Sequence, residues 1–148
     1  EADFLFVKPL LEKLGTAINY MGPAGFGQTM KLANQTIIAA NLAGFAEGLN
    51  FAKEKGLPID AFMAVINGGS ASSWQGQNNG PKMINHDYAP GFYIKHFLKD
   101  LNLVHEAHAN FDMDVVETVR QMYQILVDKG YENDGTQAII EYYTSSKK

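Results

Sequence analysis

The segment from Gly27 to Lys55 contains no proline and carries Ala, Leu, Ile, Phe and Asn on almost every side. A helix that is apolar all round must be packed in the middle of a helical domain. This one feature therefore predicts an all-α fold built round a single long buried helix, ended by Gly56-Leu57-Pro58. Helical spacing of apolar residues recurs on both sides of it. It predicts helices from Phe4 to Leu14, from Ile59 to Ile66, and from Ser72 or Ser73 through Trp74 to Ile84. Pro9 should disturb the first, and Gly80-Pro81 should break the third. Further helices are expected over Phe92–Asn110, Val115–Lys129 and Thr136–Tyr143, with a frayed tail at Ser145–Lys148. The run from Asn85 to Gly91 reads as a loop.

One stretch does not fit. Thr16-Ala17-Ile18-Asn19-Tyr20-Met21 is β-prone, yet a single strand leaves its backbone groups without partners. It reads as the edge of a sheet whose other strands lie elsewhere. The expected organisation is thus a short α/β remnant over residues 1–22, one helix and one strand, followed by an all-α domain over residues 23–148. A chain of 148 residues suits one domain with its own core.

Composition narrows the function classes. There is no cysteine, which removes disulfides, thiolate metal sites and thiol nucleophiles together. A net charge of −4 lacks the basic field that phosphate backbones demand, so nucleic acid is not an expected partner. No apolar run is long enough for a membrane span, and no charged-then-apolar leader opens the chain, so the expected location is cytoplasmic. His105 and His108 stand at i, i+3 rather than the i, i+4 of zinc proteases, and no metal site is expected.

Gly22-Pro23-Ala24-Gly25-Phe26-Gly27 precedes the long helix, the arrangement of an anion-binding helix N-terminus. Two templates were tested against it. A P-loop requires Lys where Gln28 stands, and the dinucleotide fingerprint requires Gly where Met30 stands. Both fail, which leaves either a close backbone turn or an anion or cofactor contact.

Lys31, Asn34 and Gln35 share one face at the entrance of the long helix. A partly buried lysine can donate a proton to the oxygen of a carbonyl under reduction, and amides can hold hydroxyls or a carboxylate. The same residues also suit a lysine that snorkels to water beside loop-capping amides. Phe92 and Lys99 lie two turns apart on a later helix, with Asp100 next to Lys99. Such a ring could wall off a flat cofactor ring, or simply sit in the core under a solvated charged surface. Trp74 alone reads as a core anchor, and Gly68-Gly69 as a helix end.

Taken in order, Gly25-x-Gly27-x-x-Met30-Lys31-Leu32-Ala33-Asn34-Gln35 resembles the catalytic-helix motif of the β-hydroxyacid dehydrogenases. That family includes 3-hydroxyisobutyrate dehydrogenase, tartronate semialdehyde reductase and, more distantly, 6-phosphogluconate dehydrogenase. Gly68-Gly69-Ser70-Ala71-Ser72-Ser73-Trp74 is similar to its Gly-Gly loop, and Pro90-Gly91-Phe92 through Lys99-Asp100-Leu101 to its P-G-F…K-D-L segment. The resemblance implies a C-terminal helical domain that completes the active site of an enzyme whose N-terminal Rossmann domain binds NAD or NADP. It implies Lys31 as catalytic acid and base, with substrate contacts from Gly27, Asn34, Gln35 and Ser70. Gln35 stands where several members have Asn. Cofactor contacts fall on Phe92, Lys99 and Asp100. The implied substrate is a small 3-hydroxy acid or its semialdehyde, and the implied assembly is a homodimer or homotetramer through this domain. Without the first domain, the chain is expected to be inactive. The competing expectations are a non-catalytic oligomerisation module and a related domain that only binds a ligand.

Overall fold

The computed structural model describes residues 1–107 and 110–144. His108 and the tail from Ser145 onward, on which two of the expectations fall, lie outside the described residues.

Seven α-helices are formed among the described residues: α1 Ala2–Leu11, α2 Phe26–Glu54, α3 Ile59–Gly68, α4 Trp74–Ile84, α5 Ile94–Glu106, α6 Asp114–Asp128 and α7 Ile140–Thr144. A 3₁₀ turn, Thr136–Ile139, leads into α7. The long helix α2 is the spine. It packs against α3, α4, α5, α6, α7 and the 3₁₀ turn. Its start is set by Gly25, whose φ of +93° is a conformation only glycine adopts without strain.

The core is one continuous cluster in which Ala39, Leu42, Phe45, Ala46 and Leu49 of α2 meet Phe97, Leu98 and Leu101 of α5. Val119, Tyr123 and Leu126 of α6 and Ile139 and Ile140 complete it. Burial along α2 begins only at Gln35, and the helix is not covered on all sides: Phe26, Met30, Ile37 and Phe51 remain about half exposed or more. The expectation of an all-round buried rod is corrected accordingly. Within this chain one broad face is buried and an apolar strip is left open.

The strand expected over Thr16–Met21 is not formed. That segment has no regular structure, and the one β-bridge among the described residues joins Tyr93 to Gly135. A ladder needs a neighbouring strand, and the helical body offers none. No residue of α1 is buried, which leaves Phe6 and Leu10 in solvent, and Leu14 just beyond it is exposed as well. Pro9 lies inside α1 without ending it.

The break expected at Gly80-Pro81 is absent too, and α4 runs through both residues. Gly80 serves close packing instead: a Cβ there would come within 2.6 Å of Phe45 Cζ. Ser73 caps this helix, its hydroxyl oxygen accepting from the Gly76 N–H at 3.0 Å. Trp74, expected in the core, is 66% exposed. As the first residue of α4 it projects outward while Gly76 and Gly80 face Phe45.

Backbone bonds fix the far side of the site. Thr136 N donates to Phe92 O at 3.0 Å, and Gly135 N to Tyr88 O at 2.8 Å. The Gln137 amide donates to the carbonyls of Asp87 and Ala89, both at 3.0 Å. These bonds hold the 85–92 connection against the 3₁₀ turn.

Candidate active site

The second turn of α2 and the middle of α5 cross at Asp100, a carboxylate that is only 1% exposed. A buried carboxylate costs free energy unless its oxygens are bonded. Here three side chains bond them. The Gln35 amide, itself buried, donates to Oδ2 at 2.8 Å. Lys31 Nζ lies 3.0 Å from Oδ2 and 3.2 Å from Oδ1. Lys99 Nζ lies 3.0 Å from Oδ1. Burial alone would raise the Asp100 carboxyl, but the bonds from Gln35, Lys99 and Lys31 outweigh it and hold it below the usual carboxylate range.

The charge balance follows. One carboxylate stands between two ammonium groups, so the cluster carries a net positive charge. Both lysines remain open to solvent, with side chains 46% and 61% exposed for Lys31 and Lys99. A proton held at Lys31 Nζ can therefore be passed to an oxygen outside the helix bundle, where developing negative charge is favoured. Positions 31 and 35 reach the same carboxylate because they are one helical turn apart.

Asn34 is exposed on the same stretch of α2, with no side-chain hydrogen bond among the described residues. Gly27 is exposed, and a Cβ there would meet nothing within 4 Å. Phe92 is 38% exposed, with its ring 6.4 Å from that of His96 and 6.0 Å from that of Phe97. Ser70 is exposed in the turn between α3 and α4, and no bond ties it to this cluster. The structure thus brings Lys31, Gln35, Lys99 and Asp100 into direct contact and does not bring Ser70 to them.

Beside the cluster lies a cavity of about 240 Å³, lined by residues of α2, α4, the 91–92 turn and the 3₁₀ turn. Gln35 belongs to both the cavity lining and the charged cluster, and Phe92 lines the cavity as well. Sequence reasoning missed Trp74 and Lys82, which also line it. The available signal was helical spacing, since Gln75, Asn79 and Lys82 follow at i, i+4 and i+7 on α4. Among the described residues no group of three His, Cys, Asp or Glu could hold a metal ion, and no helix is long and apolar enough to cross a membrane.

A protein family described as the NAD-binding domain of NADP-dependent 3-hydroxyisobutyrate dehydrogenase matches residues 25–143. The chain belongs to that family. It is 36% identical over 137 residues to YkwC, an uncharacterized oxidoreductase of Bacillus subtilis (strain 168), covering 91% of this chain and 48% of that protein. It is 44% identical over 103 residues to the 2-hydroxy-3-oxopropionate reductase of Escherichia coli (strain K12), covering 70% of this chain and 35% of the reductase. The crystal structure of 3-hydroxyisobutyrate dehydrogenase (ygbJ) from Salmonella typhimurium superposes with a TM-score of 0.87 at 26% identity. That likeness covers 95% of this chain and 50% of the dehydrogenase. The chain spans about half the length of the curated relatives it matches.

Proposed function

We propose that this chain is the helical half of an NAD(P)-dependent dehydrogenase. The enzyme interconverts a small 3-hydroxy acid, such as 3-hydroxyisobutyrate, and its semialdehyde. The observation that carries the reading is the buried Asp100 carboxylate, which holds Lys31, Lys99 and Gln35 at one solvent-facing point. Residues 1–22 belong with the end of a nucleotide-binding domain and residues 23–148 with the substrate domain. The bareness of α1 supports this division.

The residues fit a nicotinamide dinucleotide held mainly from another domain. A half-exposed aromatic ring, Phe92, and an exposed cation, Lys99, lie on the open side of the cluster. Such a ring packs against a flat heterocycle, and such a cation suits a carboxamide oxygen or a phosphate. When bound, NAD or NADP supplies the hydride acceptor or donor. The protein's own residues do the rest. Lys31 gives a proton to the carbonyl oxygen in reduction and takes it from the hydroxyl in oxidation. Asp100 touches no substrate in this scheme. It is a positioning residue that fixes the amine and its neighbour Lys99. Asn34 and Gly27 present a free amide and an open backbone to the substrate.

The test is Lys31→Ala in the intact enzyme. Turnover should fall about 10²- to 10⁴-fold with little change in substrate binding, and retained turnover would remove Lys31 from the mechanism. The 148-residue chain alone should transfer no hydride, because it lacks the dinucleotide fingerprint.

The open apolar strip of α2, with Ile37 and Phe51 each 61% exposed, favours a second role in pairing subunits as a homodimer or homotetramer. Light scattering tests it. A species near 16.3 kDa, the mass of one chain, would count against association.

A further inference from the structure

We propose that Glu141, Tyr88 and His86 form a clasp that positions Phe92, so that α7 helps to set cofactor affinity without touching the cofactor. The consequence for the cofactor rests on the dehydrogenase reading above; the clasp itself is argued from its contacts.

The cluster stands apart from the charged site and joins α7 to the connection between α4 and α5. The Tyr88 hydroxyl donates to Glu141 Oε1. His86 Nδ1 stands 2.9 Å from that hydroxyl and 3.3 Å from the same carboxylate oxygen. The Thr144 hydroxyl donates to Oε2 at 2.8 Å. Burial would raise the Glu141 carboxyl, but the bonds from Tyr88, Thr144 and His86 outweigh it and hold it below the usual range. Burial and the neighbouring carboxylate push the Tyr88 phenol up. Through the neutral range the donor therefore keeps its proton and the acceptor its charge, which is the strong, charge-assisted kind of bond.

The backbone at the clasp carries a second signal. His86 has a φ of +53° and is the one non-glycine residue with positive φ among the described residues. It follows the end of α4, where Asp87 N donates to Lys82 O at 2.9 Å. That is the pattern of a helix end whose left-handed residue is ordinarily glycine. A side chain persists in such a conformation where its surroundings enforce it, and residues of this kind gather at functional sites. Here the enforcing contacts are those of the ring with Tyr88 and Glu141.

Both sides of the clasp lead to Phe92. Gly135 N donates to Tyr88 O and Thr136 N to Phe92 O, so the 3₁₀ turn holds the connection at two points. That turn runs directly into α7, which places Glu141 on the same continuous segment. The segment is itself fixed, since Ile139 and Ile140 are fully buried and the Tyr143 hydroxyl donates to Glu47 Oε2 of α2 at 3.1 Å. Releasing Glu141 thus frees the connection that carries the Phe92 ring and leaves the contact of Lys31 with Asp100 in place.

Hydrogen exchange in the 148-residue chain reads the clasp. Glu141→Ala and Tyr88→Phe should lower the protection of the Gly135 and Thr136 amides about ten-fold, the worth of a charge-assisted bond, and leave that of the Leu42 and Leu49 amides unchanged. In the intact enzyme both variants should weaken binding of its nicotinamide dinucleotide about ten-fold at constant kcat. Glu141→Gln, which keeps an oxygen for Tyr88, should recover most of both. His86→Gly separates positioning from simple support, because it relieves the backbone. The chain should then be no less stable to urea, yet the dinucleotide should bind more weakly. Equal loss of protection at Thr136 and in α2, or no loss at either, would overturn the clasp. A dinucleotide affinity that these variants leave unchanged, or that falls together with kcat, would overturn its positioning role. Protection is read without turnover. Retained activity in Lys31→Ala would remove that mechanism and leave the clasp standing, whereas unchanged protection would remove the clasp and leave the role of Lys31 standing.

Discussion

Asp100 shows how one buried residue can gather three side chains at a single point. Its carboxylate is buried, and its acidity is strengthened by the donors around it. A carboxyl whose native pKa lies below its unfolded value, near 3.9, adds stability that is present above that value. The contribution is lost as pH falls through it towards the native pKa. Asp100→Asn should lower stability by about 1–3 kcal/mol at pH 7, the range for hydrogen bonds to a charged group. The solvent exposure of both lysines puts the value in the lower half of that range. The difference in urea midpoint between the two proteins should narrow at pH 3; a gap as wide there as at neutrality would contradict this account. The shared face of Lys31 and Gln35 was legible from helical spacing alone. The role of Asp100 was not, because spacing along α5 says nothing of which α2 residue faces it across the crossing. Glu117 on α6 is a second carboxylate held by donors from its own helix. In the fold, Arg120 grips it at 2.7 and 2.9 Å and Gln121 bonds it at 2.9 Å, pulling its carboxyl down to about 2.

At the scale of elements, helix periods were readable and the exceptions were instructive. Gly80-Pro81 looked like a break because glycine and proline usually interrupt a helix. The glycine is there so that α4 can lie against the ring of Phe45, a packing need invisible from local sequence. Gly80→Ala should therefore cost about 1–3 kcal/mol through overpacking, since the new Cβ would stand 2.6 Å from Phe45 Cζ and force the ring to shift. The same substitution in a Phe45→Leu background should cost clearly less, and equal costs in both backgrounds, measured by chemical denaturation, would show that the ring is not the obstacle. The false strand at Thr16–Met21 arose from β-prone composition, which reports side-chain preference and not the presence of a neighbour to pair with.

For the molecule as a whole, every buried core residue lies at Ala39 or beyond, and nothing in α1 is buried. Removing residues 1–22 should leave the cooperative unfolding of the remainder within about 0.5 kcal/mol, the range of changes that disturb no core contact. It should also reduce aggregation, because Phe6, Leu10 and Leu14 go with the segment. A broadened or non-cooperative transition in the shortened chain would show that the first 22 residues are structural. The all-α class and the position of the spine could be read from the pattern of one helix. Which of its sides stays open could not, since helical spacing tells which residues share a face and not which neighbouring helix covers it. The crossing of α2 with α5 carries the amine and its carboxylate, whereas Trp74 and Lys82 ride on α4. Substitutions on α4 thus leave the contact between Lys31 and Asp100 untouched, so that the two parts of this face are free to diverge independently over evolutionary time.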